Sequence, residues 1–135
     1  MKVHAFRLIP GQDLKKEIDN YVIIKHIKAG SIISCVGNLS KANIRMAAYK
    51  STDKVQPVKT FNGTFEIVSL IGTLEEGNSH LHISISDKVG KVTGGHLKVG
   101  SIVGVTAEIV IGEYNEFVFK RVLDPKTGFE ELAVS

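Results

Sequence analysis

A chain of 135 residues with 43% apolar and 23% charged side chains reads as one soluble globular domain, spanning 1–135, long enough to bury a real core. Its lone cysteine, Cys35, excludes an internal disulfide and suits a reducing, cytoplasmic setting, and no run approaches the ~20 apolar residues of a membrane span. The net charge of +3 is too mild to argue for nucleic acid, although residues 1–60 hold 11 Lys/Arg against 4 Asp/Glu and residues 61–135 hold 6 against 10.

The start, Met1-Lys2-Val3-His4, has no long apolar segment, so no signal peptide is expected. Val3 to Ile9 alternates and predicts a first strand, ended by Pro10-Gly11. From Gln12 to Lys28, Leu14, Ile18, Tyr21 and Val22 fall at helical spacing, and Gly30 stands where a glycine just past a helix end belongs. His26 near that end favours the helix dipole and is given no catalytic role. Everything after Gly30 reads as strand. Ser31 to Leu39, closed by Gly37-Asn38 and containing a core-type Cys35, is one run, and Ala42 to Tyr49 is a second. Ser51 to Pro57 is loop-like, Phe61-Asn62-Gly63 allows a tight bend, and Thr64 to Leu74 is strongly apolar. Gly100 to Gly112 is a long strand with Phe117-Val118-Phe119 as its partner, and Asp124 to Gly128 turns once near the end. Many strands with one helix near the N-terminus predict an α+β fold with a mainly antiparallel sheet.

The densest chemistry lies between Gly77 and Gly100, which holds three of the five histidines. His80 and His82 are two apart in an alternating run, so on a strand they share one face with Cα atoms about 6.8 Å apart. Leu81, Ile83 and Ile85 then face the core. His96 follows Gly94-Gly95, where the backbone is free to take positive φ and approach closely. Three imidazoles converging this way form a metal site with an open coordination position. The plain alternative is an ordinary half-exposed edge strand whose histidines bind nothing.

Other side chains are weaker candidates. Glu66 and Glu108 sit inside apolar strands, either orienting a histidine or serving as a base beside a metal, or else facing outward. Arg7 and Arg45 either anchor an anionic ligand or are surface charges and ion pairs. Gly90-Lys91-Val92-Thr93-Gly94 lacks the spacing of a phosphate loop, and no nucleophile elbow is present.

The order of these pieces resembles the PPC domain (plants and prokaryotes conserved). The resemblance is carried by Arg7 to Leu14, Gly63 to Leu70, His80 to Asp87, Gly94 to Leu97 and Thr106 to Ile109, and it covers nearly the whole chain. It implies an α+β subunit, a homotrimer, and a metal on His80, His82 and His96. The expected cofactor is a divalent transition metal, with zinc first, though imidazole also suits iron, nickel and copper. Prokaryotic members carry a DNA-binding label by association with plant proteins. Here Thr64 stands where the plant motif has arginine, and the Arg-Gly-Arg-Pro core of the plant minor-groove arm is absent. Two function classes follow: a metal-binding regulatory module, with DNA as a weakly supported partner, and a small metal-dependent enzyme.

Overall fold

A computed structural model describes residues 1–47 and 57–135. The elements run β1 (Lys2–Leu8), α1 (Leu14–Ile24), β2 (Gly30–Arg45), β3 (Val58–Glu75), β4 (Asn78–Ser86), β5 (Val92–Leu97), β6 (Ile102–Glu113), β7 (Phe119–Asp124) and β8 (Phe129–Val134). The first six strands form one antiparallel sheet in the order β1-β6-β2-β3-β4-β5, while β7 and β8 pair as a separate hairpin. The α+β expectation is met.

The sheet curls far enough that its last strand returns to its middle. The end of β5 pairs with the end of β2, Ile44 opposite Leu97 and Arg45 opposite His96. Strands β2, β3, β4 and β5 thus close a ring around the fully buried Leu81, Ile85, Ile44 and Leu97. Helix α1 packs Leu14, Ile18 and Val22, all fully buried, into the same apolar cluster. At about 25 cal/mol per Å² of apolar surface, this shared burial is the main force holding helix and sheet together.

Four sequence expectations change in detail. The helix stops at Ile24, not Lys28, because His26 takes a left-handed φ of 52° and Ile27 N–H bonds back to Val22 O at 3.0 Å. His26 therefore occupies the position expected for Gly30. Gly30 instead opens β2, where a Cβ would lie 2.8 Å from the Gly112 carbonyl oxygen of β6. The two expected strands Ser31 to Leu39 and Ala42 to Tyr49 are one continuous β2, bent at a bulge between Leu39 and Lys41; residues 48–49 and most of the expected loop (51–56) lie outside the described residues. The bend expected at Phe61-Asn62-Gly63 is part of β3, since Leu39 pairs with Phe65 and Lys41 with Asn62, which puts Gly63 in that bulge. Finally, Phe119 begins a strand that pairs with β8 and not with β6. Asp124 to Gly128 is the turn of that hairpin, with Gly128 N–H on Asp124 O at 2.8 Å. Cys35 is buried as a small core residue, and burial pushes its thiol up to about 12.

Candidate metal centre

Strand β4 alternates as the sequence requires: Leu81, Ile83 and Ile85 are buried, His80 is half-buried and His82 exposed. Register does the rest. His82 lies opposite His96 on β5, and His96 lies opposite Arg45 on β2. One nitrogen from each of His80, His82 and His96 falls within 4.8 Å of the other two. His80 Nε2 and His82 Nε2 are 3.2 Å apart. The Gly94-Gly95 pair works by closeness, not by positive φ: a Cβ on Gly94 would lie 2.4 Å from Ile83 O, and one on Gly95 2.6 Å from Arg45 O. Only glycine lets β5 pass between β4 and β2 at this separation, and that passage brings the third ring to the pair.

The rings are tuned toward the form that ligates. Burial, with the Arg45 charge next, pushes His96 down to about 3. Burial, then Arg121, holds His80 below the ordinary histidine range. Both are held toward the uncharged form, which keeps one lone pair per ring; that of His96 accepts from Arg45 in this structure. In a tetrahedral zinc site with bonds of about 2.1 Å, ligand nitrogens sit roughly 3.4 Å apart. The 3.2 Å pair already matches, and the third nitrogen lies within 4.8 Å of both. The donor set fits a borderline-soft divalent ion.

Beside the rings lies a cavity of about 410 Å³, walled by His80 and His96, by Lys15, Arg45, Lys98 and Arg121, and by Phe129, Glu130 and Glu131 of the hairpin. Lys15 Nζ is buried and donates to Asp19 Oδ2 at 2.9 Å and Ser79 Oγ at 2.8 Å, while the Ser79 hydroxyl donates to Asp19. Arg121 reaches from β7 to Glu75 Oε1 and Thr73 Oγ1 on β3, both at 2.6 Å, which docks the hairpin against the strand that carries His80's partner. Arg45 Nη2 donates to His96 Nδ1 at 3.3 Å. Burial, then Arg45 and Lys15, holds Lys98 below the ordinary lysine range.

Of the four weaker candidates, Arg45 alone lines this cavity. Arg7 donates to Thr106 Oγ1 at 2.8 Å on the far side of the sheet order, opposite Glu108. Glu66 and Glu108 are exposed, on the outward face of β3 and β6. Lys15, Lys98 and Arg121 escaped the sequence reading. Lys98 had a signal, being two residues beyond His96 on an extended segment; Lys15 and Arg121 had none, because only the tertiary fold brings α1 and β7 to the histidines.

A curled antiparallel sheet with one helix, with two of three clustered histidines lining a cavity that also holds four cationic side chains, defines a small α+β domain. The model of the Plants and Prokaryotes Conserved (PCC) domain matches residues 1–115, and the chain belongs to that family. It is similar to the Bifunctional protein GlmU of two Synechococcus strains, 37% identical over 134 residues in each; the match covers 99% of this chain but 21% and 20% of those proteins' lengths. A solved structure from Salmonella, a hypothetical protein, is 35% identical with a TM-score of 0.91, covering 99% of this chain and 93% of that one. A metal-containing protein from Archaeoglobus fulgidus is 28% identical with a TM-score of 0.81, covering 98% and 94%. A presumed DNA-binding protein from Bacteroides thetaiotaomicron, 24% identical with a TM-score of 0.86 over 97% and 91%, shares the fold.

Proposed function

We propose that this chain is a metal-dependent binding domain that holds one divalent transition ion, zinc first, on His80, His82 and His96, and works as a cytoplasmic homotrimer. The observation that carries the reading is the convergence of three imidazole nitrogens within 4.8 Å, two of the rings kept neutral by their surroundings. The metal-containing relative from Archaeoglobus supports it. Bound there, such an ion supplies Lewis acidity and an open coordination position. His80 and His96 line the cavity together with Lys15, Arg45, Lys98 and Arg121, so a ligand there meets the histidine cluster and protein cations at once.

DNA is the less favoured partner. The cations at this site line a cavity sized for a small molecule, and no minor-groove arm occurs in the chain. The enzymatic reading draws on Glu130 and Glu131, which line the cavity where an acid or base is wanted. The trimer is supported by Ile33, Val36, Val68, Ile71 and Val105, each at least half exposed on the three adjacent strands β2, β3 and β6. The reading is tested by zinc reconstitution, dialysis and elemental analysis: close to one zinc per chain is expected, with none retained by His82→Ala. A wild-type protein that retains no zinc overturns it.

A further inference from the structure

An arginine side chain only donates, so its contact with His96 makes Nδ1 the accepting nitrogen of that ring. A neutral imidazole has one such nitrogen, and the other carries the proton. Once an ion takes the ring's lone pair, through either nitrogen, the remaining nitrogen is an N–H and the Arg45 hydrogen bond has lost its acceptor. We propose that Arg45 is an anion receptor released by metal loading: occupation of the three-histidine cluster frees its guanidinium to hold a small oxyanion, a carboxylate or a phosphate, in the adjoining cavity. The proposal rests on the metal reading above and adds the class of ligand.

The charges of the cavity support it. Lys15 is paired with Asp19, and Arg121 with Glu75. Among the described residues, neither Arg45 nor Lys98 has a carboxylate within ion-pair distance. Two cations without an ion-pair partner share one half-buried cavity with Glu130 and Glu131, so the balance turns positive and favours an anion once the ion is loaded, and a guanidinium matches two oxygens of a carboxylate or phosphate at once. Register holds Arg45 directly across from His96, so release of one bond leaves the group at the cavity wall. Glu130 and Glu131 in the same lining disfavour an extended polyanion, and Phe129 offers an apolar edge for a short carbon skeleton.

The test is calorimetric titration of inorganic phosphate, and separately of acetate and lactate, into zinc-loaded and metal-free protein, with the zinc content of every sample measured. The loaded protein is expected to bind one anion per chain at least ~10-fold more tightly than the metal-free protein, and by reciprocity the anion tightens zinc by the same factor. Arg45→Gln should keep its zinc and lose that gain, Arg45→Lys should keep part of it, and Lys98→Gln should weaken binding in both states. Preference between phosphate and the carboxylates names the source. Equal anion affinity with and without zinc, or Arg45→Gln behaving as wild type while holding zinc, overturns the proposal and leaves the metal reading standing. A wild-type protein that holds no zinc removes both.

Discussion

Gly95→Ala puts the geometry of the centre to a direct physical test. The added methyl carbon would lie 2.6 Å from the Arg45 carbonyl oxygen and 2.9 Å from Ile44 Cγ2. The first is about 0.8 Å inside the 3.4 Å where ordinary contact begins. Arg45 O belongs to a paired strand and Ile44 is fully buried, so neither yields easily. Overpacking of this kind costs roughly 1–3 kcal/mol. Strand β5 must move outward, taking His96 with it, by several times the ~0.2 Å that metal–ligand distances tolerate. Zinc affinity should fall ~10–100-fold, the scale seen when ligand-orienting groups are lost. Gly90→Ala is the control: its φ of 82° makes alanine cost about 1 kcal/mol, but nothing lies within 4 Å of the new carbon, so zinc affinity should be unchanged. Urea unfolding of the metal-free proteins gives the first quantity, and competition against a chromophoric chelator gives the second. A Gly95→Ala protein with wild-type stability and zinc affinity would refute the account of how β5 delivers its histidine.

Three further outcomes are expected. His26→Gly should raise the unfolding free energy by roughly 0.5–1 kcal/mol, read as a higher urea midpoint, because a left-handed residue with a Cβ ends α1 where glycine takes that φ without the Cβ clash; an unchanged or lower midpoint contradicts that. In the metal-free protein His96 titrates near 3, against 6.5 for an ordinary histidine, so the unfolded chain binds more protons between those values. Stability should therefore be full above about pH 6.5 and fall as pH drops toward 3, with His80 acting in the same direction. Glu113, held below its ordinary range chiefly by its hydrogen bond to His4, adds to the loss at the acid end; urea midpoints that stay flat or rise on acidification would contradict the sign. Light scattering should report three times the 14.7 kDa chain mass, shifting toward a single chain in Val36→Glu; a wild-type monomer at micromolar concentration would remove the trimer.

How much of this the sequence disclosed depends on how local each feature is. The alternation of His80, Leu81, His82 and Ile83 is set within one strand, and the structure keeps it residue for residue. The double glycine before His96 acts through the close approach the sequence suggests, without the positive φ, and sets that ring near the other two. Gly37-Asn38 looks like a strand end and so divides β2 in the sequence, whereas the pairing with β6 carries through that point with a register shift. The C-terminal hairpin was missed because Phe119 to Val134 has no strong alternation; its place is set by Arg121 reaching Glu75, a contact across 46 positions of the chain. For the same reason the cations of the cavity could not be grouped in advance, since α1, β2, β5 and β7 each supply one from or beside their ends.

The central claim is that three imidazole nitrogens meet at one ion. Crystals of the zinc-reconstituted protein, measured on both sides of the zinc absorption edge, test it without intermediary. The account predicts an anomalous peak at about 2.1 Å from one nitrogen each of His80, His82 and His96. A map with no peak there, or with the His96 ring still bonded to Arg45 and turned from the other two, would contradict it.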